Sequence, residues 1–348
     1  TLYRSQEVAV TTHMAARRFS RWIAVPAAVV LLLSACSPAT VPTIPPIPLE
    51  PPGPTPEPLP PQPYVLPSDN SWKLPTDRPT SRRASQPGVI SIEGLGEFTF
   101  IPQEIETTRP DLFHEGHFSV FDIVAHLGAK GWFPLHYHYD RRLDTQVIDD
   151  LDGRINWWYR ACCPGGWPET NVFRMDMVPY RDGMVITLQT QPEEYMGRIY
   201  NSFAEELLRK SINLGRIVIP EIRIGTTVHT NVPVSAHDFR DDVLQPGTVT
   251  ALDVLLSLAD QGKINRLKLT WYSDTGGVTP ADSFRVEQIA DGDGFYDAAA
   301  TAETGGWVYE TGALEFSGFK GSHIHIPADV RIIVSPEYMT WYWLGPPG

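Results

Sequence analysis

His136-Tyr137-His138 and His323-Ile324-His325 each place two imidazoles on one face of an extended strand, because strand side chains alternate. His114 and His117 form a further pair. A zinc or copper site needs three or four converging nitrogen or sulfur ligands, and Cys162 or Cys163 could complete one. The same spacing also describes a solvated strand face, with Leu135, Tyr137, Ile324 and Ile326 turned inward and no metal required. Asp291-Gly292-Asp293-Gly294, with Asp297 beyond, opens like an oxygen-ligand calcium loop. It lacks the closing bidentate Glu of an EF-hand, and a hairpin turn uses the same residues. Trp158 and Trp167 could stack on a sugar or another flat ligand, whereas Trp157 and Trp307 read as core. Cys162 and Cys163 could close a strained vicinal disulfide, remain thiols, or bond another chain. The chain has no G-x-S-x-G, P-loop, H-E-x-x-H or C-x-x-C pattern, so no catalytic residue is assigned.

The elements that would position these residues begin well into the chain. The first Met is Met14, and residues 1–13 read as upstream translation. Arg17, Arg18 and Arg21 then precede an apolar run, Trp22 to Leu33, that is shorter than the ~20 residues a bilayer span needs. Leu33-Ser34-Ala35-Cys36 follows and resembles the lipobox of bacterial lipoproteins. That resemblance implies a signal peptide over 14–35, cleavage before Cys36, and acyl chains on the Cys36 thiol that hold the protein at a membrane surface. Two or three chains anchor durably where one does not.

Between Pro38 and Pro63 half of all residues are proline, which excludes helix and sheet and favours extended polyproline II. Residues 36–88 are therefore expected to be a disordered stalk, reaching roughly 150 Å at ~3.1 Å per residue. The net charge of −13 argues against nucleic acid or anionic lipid headgroups as partners. Hydrophobic residues make up 42% of the chain, enough for one large or two ordinary cores after the stalk.

The remainder repeats itself. Arg109 pairs with Arg240, Asp111 with Asp242, Gly116 with Gly247, Ser119 with Thr250 and Asp122 with Asp253, all at one constant separation. Farther on, Val147–Gly153 aligns with Val286–Gly292, and Trp157-Trp158-Tyr159 with Trp307-Val308-Tyr309. Val178-Pro179 aligns with Ile326-Pro327, each ahead of a β-branched run, Val185–Thr187 or Ile332–Val334. The separation grows along the chain, so the second copy carries loop insertions. Such repetition is evidence of architecture whatever the activity. In each copy a β-rich segment (Val89–Ile92 with Glu97–Ile101; Ile217–Ile224) precedes a short helix. Ser119 or Thr250 caps that helix, with Asp122 or Asp253 three residues on. Gly128 or Gly262 falls near its end. Short strands follow, with Asp-Gly turns at Asp152-Gly153 and Asp291-Gly292. Between the copies Pro192 opens a helix whose stripe is Met196, Ile199, Tyr200, Phe203, Leu207 and Leu208.

Gly247-Thr248-Val249-Thr250-Ala251-Leu252-Asp253, the Trp-x-Tyr strands and the closing Met339-Thr340-Trp341-Tyr342-Trp343 together resemble the transcobalamin C-terminal-like domain of bacterial surface proteins. The first copy departs from the pattern at Ala161–Gly166, where Ala-Cys-Cys-Pro-Gly-Gly replaces the usual Asn-Gly hairpin. The resemblance implies a β-grasp-like fold and a non-catalytic surface module. The expected architecture is α+β: two tandem β-grasp-like domains, residues 89–191 and 216–348, each a small mixed sheet with one packed helix, joined by a linker helix over 192–215. The expected role is a surface-anchored, non-enzymatic lipoprotein that presents both modules to a glycan, cell-wall, protein or small-molecule ligand. The alternative is an extracytoplasmic metal- or cofactor-binding lipoprotein using the histidines and cysteines of the first copy.

Overall fold

The computed structural model describes residues 80–162, 170–272, 282–291, 295–297, 306–318 and 326–344. All of them belong to one compact unit, Pro56–Gly348. It contains two α+β bodies of like build. In the first, β1 (Gly88–Ile92) and β2 (Gly96–Phe100) form a hairpin, and helix α1 (Val120–Ala129) follows. β3 (Leu135–Asp140) and β4 (Thr145–Leu151) make a second hairpin, and β5 (Trp157–Cys162) and β6 (Val185–Thr190) complete the body. Helix α2 (Glu193–Ile212) leads to the second body. There the order recurs as β7 (Ile217–Ile224), β8 (Thr227–Val234), α3 (Ala251–Asp260), β9 (Ile264–Tyr272), β10 (Ser283–Asp291), β11 (Phe295–Asp297), β12 (Gly306–Gly312) and β13 (Tyr338–Leu344).

Each body has a four-stranded mixed sheet, ordered β2-β1-β6-β5 and β8-β7-β13-β12. In both, the first and last strands of the body run parallel at the centre. Ile90 lies against Ile186 and Ile92 against Leu188; Ile222 lies against Met339 and Ile224 against Trp341. The apolar face of each helix packs on this sheet. Phe121, Ile123 and Val124 join Ile90, Ile186 and Leu188 in one core, and Leu252, Leu255 and Leu256 join Ile222, Met339 and Trp341 in the other. The remaining strands form a separate hairpin, with a third short strand in the second body.

Local chemistry starts both helices alike. The Asp122 carboxylate accepts from the backbone N–H and hydroxyl of Ser119 at 2.6 and 2.7 Å, while Ser119 Oγ accepts from Asp122 N at 3.2 Å. Thr250 and Asp253 repeat this capping box. Each Asp also ties down the preceding chain: Asp122 accepts from Thr108, and Asp253 from His237. The helix-ending glycine of the first body is Gly131 (φ 76°), not Gly128, and matches Gly262 (φ 66°). Gly128 lies inside α1, where a Cβ would meet the Leu135 side chain at 2.8 Å, so its role is close helix–strand packing. Asp152-Gly153 does make the left-handed two-residue turn, with Leu151 and Arg154 exchanging backbone hydrogen bonds.

Two alignments made on sequence pattern are corrected by register. In β3–β4 the bulged residue is Asp149, skipped between the pairs His136–Asp150 and Tyr137–Ile148. In β9–β10 it is Glu287, skipped between Leu269–Val286 and Lys268–Gln288. Ile148 therefore matches Val286, one residue away from the alignment of Val147 with Val286. A slip of one reverses which face is buried, and the two bulges decide it. Likewise Val120 N donates to Val178 O, and Ala251 N to Arg331 O, so Val178-Pro179 corresponds to Arg331-Ile332 rather than Ile326-Pro327. The counterpart of Val185–Thr187 is the start of β13, Tyr338-Met339-Thr340, with Met339 in the place of Ile186.

The bodies meet at a seam of equivalent residues. Phe113 and Leu244 form an antiparallel bridge. His114 N donates to Val243 O at 3.0 Å, and Gln245 N donates to Leu112 O at 2.9 Å. Phe113, Met177, Val243, Leu244, Ile332 and Val334 form one buried apolar cluster there. Residues matched in sequence thus contact one another reciprocally, the signature of an approximate two-fold axis. Helix α2 buries Met196, Ile199 and Phe203, while Leu208, at the end of the expected stripe, is exposed. Residues 80–87, expected to be the end of the stalk, are instead pinned to the folded unit. Ser81 N donates to Asp242, Arg82 N to Asp282, and Ser85 and Gln86 N to Asp182.

Candidate functional site

Beside the seam each body builds the same charged node. In the first, the Arg109 guanidinium grips Asp111 through two parallel bonds at 2.9 and 2.8 Å. It also reaches Asp176 at 2.8 Å and Asp144 at 3.1 Å, and lies 5.3 Å from the Tyr139 ring centre. In the second, Arg240 grips Asp242 at 2.8 and 3.1 Å, reaches Asp329 at 2.5 Å, and lies 5.3 Å from the Trp271 ring centre. Bidentate pairs of this kind fix geometry as well as charge. Burial by itself would lower the Arg109 pKa, but its bonds to Asp111 and the charge of Asp176 outweigh burial and hold it above its ordinary value. In return, and against their own burial, Asp111 and Asp242 are held below the usual carboxylate range by their arginines.

The buried aspartates act as braces between elements. Asp176, in the 3-10 turn Met175–Met177, accepts from Thr145 Oγ1 at 2.6 Å and Gln146 N at 3.0 Å. Asp329 accepts from Phe284 N at 3.0 Å. Asp144 and Asp282 occupy matching positions before β4 and β10, both with positive φ (51° and 59°).

Each node opens on a cleft between the bodies. Asp111 and Asp144 line the first, of about 460 Å³, together with Lys210, Arg216, Gly247 and Thr248. Asp242 lines the second, of about 430 Å³, with Ser81, Arg83, His114 and His117. The clefts exchange places under the pseudo-two-fold, but the chain treats them differently. In the second, the Ser81–Arg82 segment crosses the node. Ser81 N donates to Asp242 Oδ2 at 2.7 Å, and Arg240 Nη2 donates to Ser81 Oγ. Arg82 donates its backbone N–H and Nε to Asp282 Oδ2 at 3.2 and 2.9 Å.

The residues singled out from sequence fall elsewhere or in part here. His114 and His117 line the second cleft, where burial pushes the His117 pKa down to about 4, helped by Arg83 and Arg240 against Asp242. His136 and His138 sit on the exposed face of β3, each beside an aspartate, Asp150 at 3.6 Å and Asp149 at 2.9 Å. Tyr137 turns the other way, edge-on to Phe121. Among the described residues no three His, Cys, Asp or Glu side chains gather as a metal site. Trp158 is a core residue rather than a stacking platform. It is 4% exposed, donates Nε1–H to Asn171 O and packs by Tyr200 and Phe203. Its neighbours α2 and the 170–173 segment, remote in sequence, cover the face expected to be open. Trp157 is core as expected. Cys162 is buried at the end of β5. Cys36, Trp167, Cys163, Asp293, His323 and His325 lie outside the described residues.

Sequence pairing flagged Arg109 with Arg240 and Asp111 with Asp242, but only as marks of repetition. Asp144 with Asp282, and Asp176 with Asp329, were missed, since loop insertions shift their spacing. No family model, curated protein or solved structure matches this chain.

Proposed function

We propose that this chain is a lipid-anchored, non-enzymatic surface lipoprotein whose two β-grasp-like bodies bind a polypeptide partner in a cleft between them. The reading joins the lipobox-like Leu33–Cys36, the Pro-rich stretch behind it and the transcobalamin C-terminal-like resemblance to the geometry of the seam. The observation that carries it is the second cleft, where an extended stretch of polypeptide is held by its own backbone N–H groups and one arginine. Backbone bonds of that kind give affinity for extended chains, with side-chain contacts giving specificity. A glycan platform has less support, because Trp158 is buried.

Two measurements test the proposal. Palmitate labelling in a bacterial host should mark the chain and be lost with Cys36→Ser. The full chain, probed on a peptide array and a glycan array, should retain peptides and no glycan. Binding to glycans alone would overturn the polypeptide reading, and palmitate labelling that survives Cys36→Ser would overturn the anchor.

A further inference from the structure

Resting on that reading, we infer that the first cleft takes an extended segment of a partner polypeptide in which a serine precedes an arginine. The segment would sit at Asp111 and Asp144 as Ser81-Arg82 sits at Asp242 and Asp282. The two nodes are built from matching residues, so what the second holds tells what the first can hold. The carboxylates differ in access. Asp242 and Asp282 are 10% and 13% exposed beneath the Ser81–Arg82 segment, whereas Asp111 and Asp144 are 58% and 26% exposed. The clefts also differ at matching glycines. A Cβ on Gly116 would meet the Arg83 side chain at 2.6 Å, because the segment lies against it; a Cβ on Gly247 would meet nothing within 4 Å.

The cause lies just before the first strand of each body. Ahead of β1 the chain runs from Asp182 of the first body, held by Ser85 and Gln86, to Asp242 and Asp282 at the second cleft, held by Ser81 and Arg82. Ahead of β7 the matching stretch is the end of α2, whose Asn213, Leu214 and Gly215 turn the chain straight into the strand, with Leu214 and Gly215 at positive φ. The helix end lines the first cleft with Lys210, Gly215 and Arg216 but does not reach across the node.

The chemistry available there matches an incoming serine and arginine. Arg109 Nη2, the counterpart of the Arg240 Nη2 that donates to the serine hydroxyl, donates here to Asp144 Oδ1, the bond that an incoming serine hydroxyl would take over. Tyr139 Oη and Arg109 both donate to Asp144 Oδ1, at 2.5 and 3.1 Å, which directs an arginine to Oδ2, the oxygen that Asp282 offers Arg82.

The probe is the chain's own sequence from 78 to 85, Arg-Pro-Thr-Ser-Arg-Arg-Ala-Ser, as a fluorescein-labelled peptide added to the full chain and followed by anisotropy. Saturable binding to one site is expected, weakened at least about tenfold by Asp144→Asn and unchanged by Asp149→Asn, an exposed carboxylate of β4 that lines neither cleft. A peptide carrying Gln in place of its first internal arginine should lose binding to the same degree, which tests the contact without altering the protein. No saturation up to millimolar peptide, or binding that Asp144→Asn leaves unchanged, overturns the inference. If other array peptides bind and this one does not, the inference fails and the polypeptide reading stands. If no peptide binds at all, both fail.

Discussion

Phe113 and Leu244 occupy the same place in the two copies of the repeat and pair with each other across the seam. A contact between equivalent residues is what an isologous dimer interface would have, here closed within one chain. Covalent linkage through α2 keeps both halves in register. It also lets the halves diverge, since a change in one copy need not appear in the other.

Phe113→Ala should destabilise both bodies together. The ring is 1% exposed and sits in the cluster with Met177, Val243 and Ile332. Emptying such a site costs about 3–5 kcal/mol. Urea unfolding followed by fluorescence and by far-UV circular dichroism should shift to lower midpoint in one transition. A second transition, with one body unaffected, would show that the seam does not couple them.

Removing a node arginine should cost more than removing an exposed charge. Arg240→Met leaves Asp329, a fully buried carboxylate, without its guanidinium. Breaking a buried pair from one side costs about 3–5 kcal/mol. The double substitution Arg240→Met with Asp329→Asn should recover part of that loss in a thermodynamic cycle, and strict additivity would refute the pairing.

The two helix caps predict a graded series. Ser119→Ala removes the bond from Asp122 N and the hydroxyl's own bond to Asp122 Oδ2, and should cost about 1 kcal/mol. Asp122→Ala should cost more, by roughly 2 kcal/mol or above, because its carboxylate also accepts from Thr108 N and Oγ1. Equal effects in thermal melts would mean that the Thr108 tie contributes nothing.

Two histidines predict opposite limbs of a stability–pH curve. His237 bridges Asp253 and Asp260 at 2.9 Å each. Burial by itself would lower its pKa, but these bonds and charges outweigh burial and raise it above 6.5. The folded state thus keeps a proton that the unfolded chain releases. This stabilisation is full below pH 6.5 and is lost as pH rises through the folded value, at up to about 1.4 kcal/mol per pH unit. His117 runs the other way: held down to about 4 by burial, it costs stability as pH falls from 6.5 toward 4. His237→Gln should flatten the alkaline limb and His117→Gln the acid limb of a midpoint-versus-pH series. An unchanged profile in either variant would contradict the assignment.

The sequence by itself determined what is local or repeated. The capping pairs Ser119–Asp122 and Thr250–Asp253, the turn at Asp152-Gly153, the Met196, Ile199 and Phe203 stripe of α2 and the doubling of an α+β body all follow from contacts a few residues apart or from comparing one copy with the other. Tertiary structure decided what depends on distant partners. One-residue bulges at Asp149 and Glu287 set the true alignment, because a face is buried only once the register is fixed. Trp158 became core because α2 and Asn171 close over it. His136 and His138 stayed apart from His114 and His117, because strand pairing turns β3 toward Asp149 and Asp150. The carboxylate nodes exist only where loops of unequal length converge on Arg109 and Arg240. Long-range electrostatics and burial act through space, so residues from 81 to 329 could join at one guanidinium with no trace of it in their spacing along the chain.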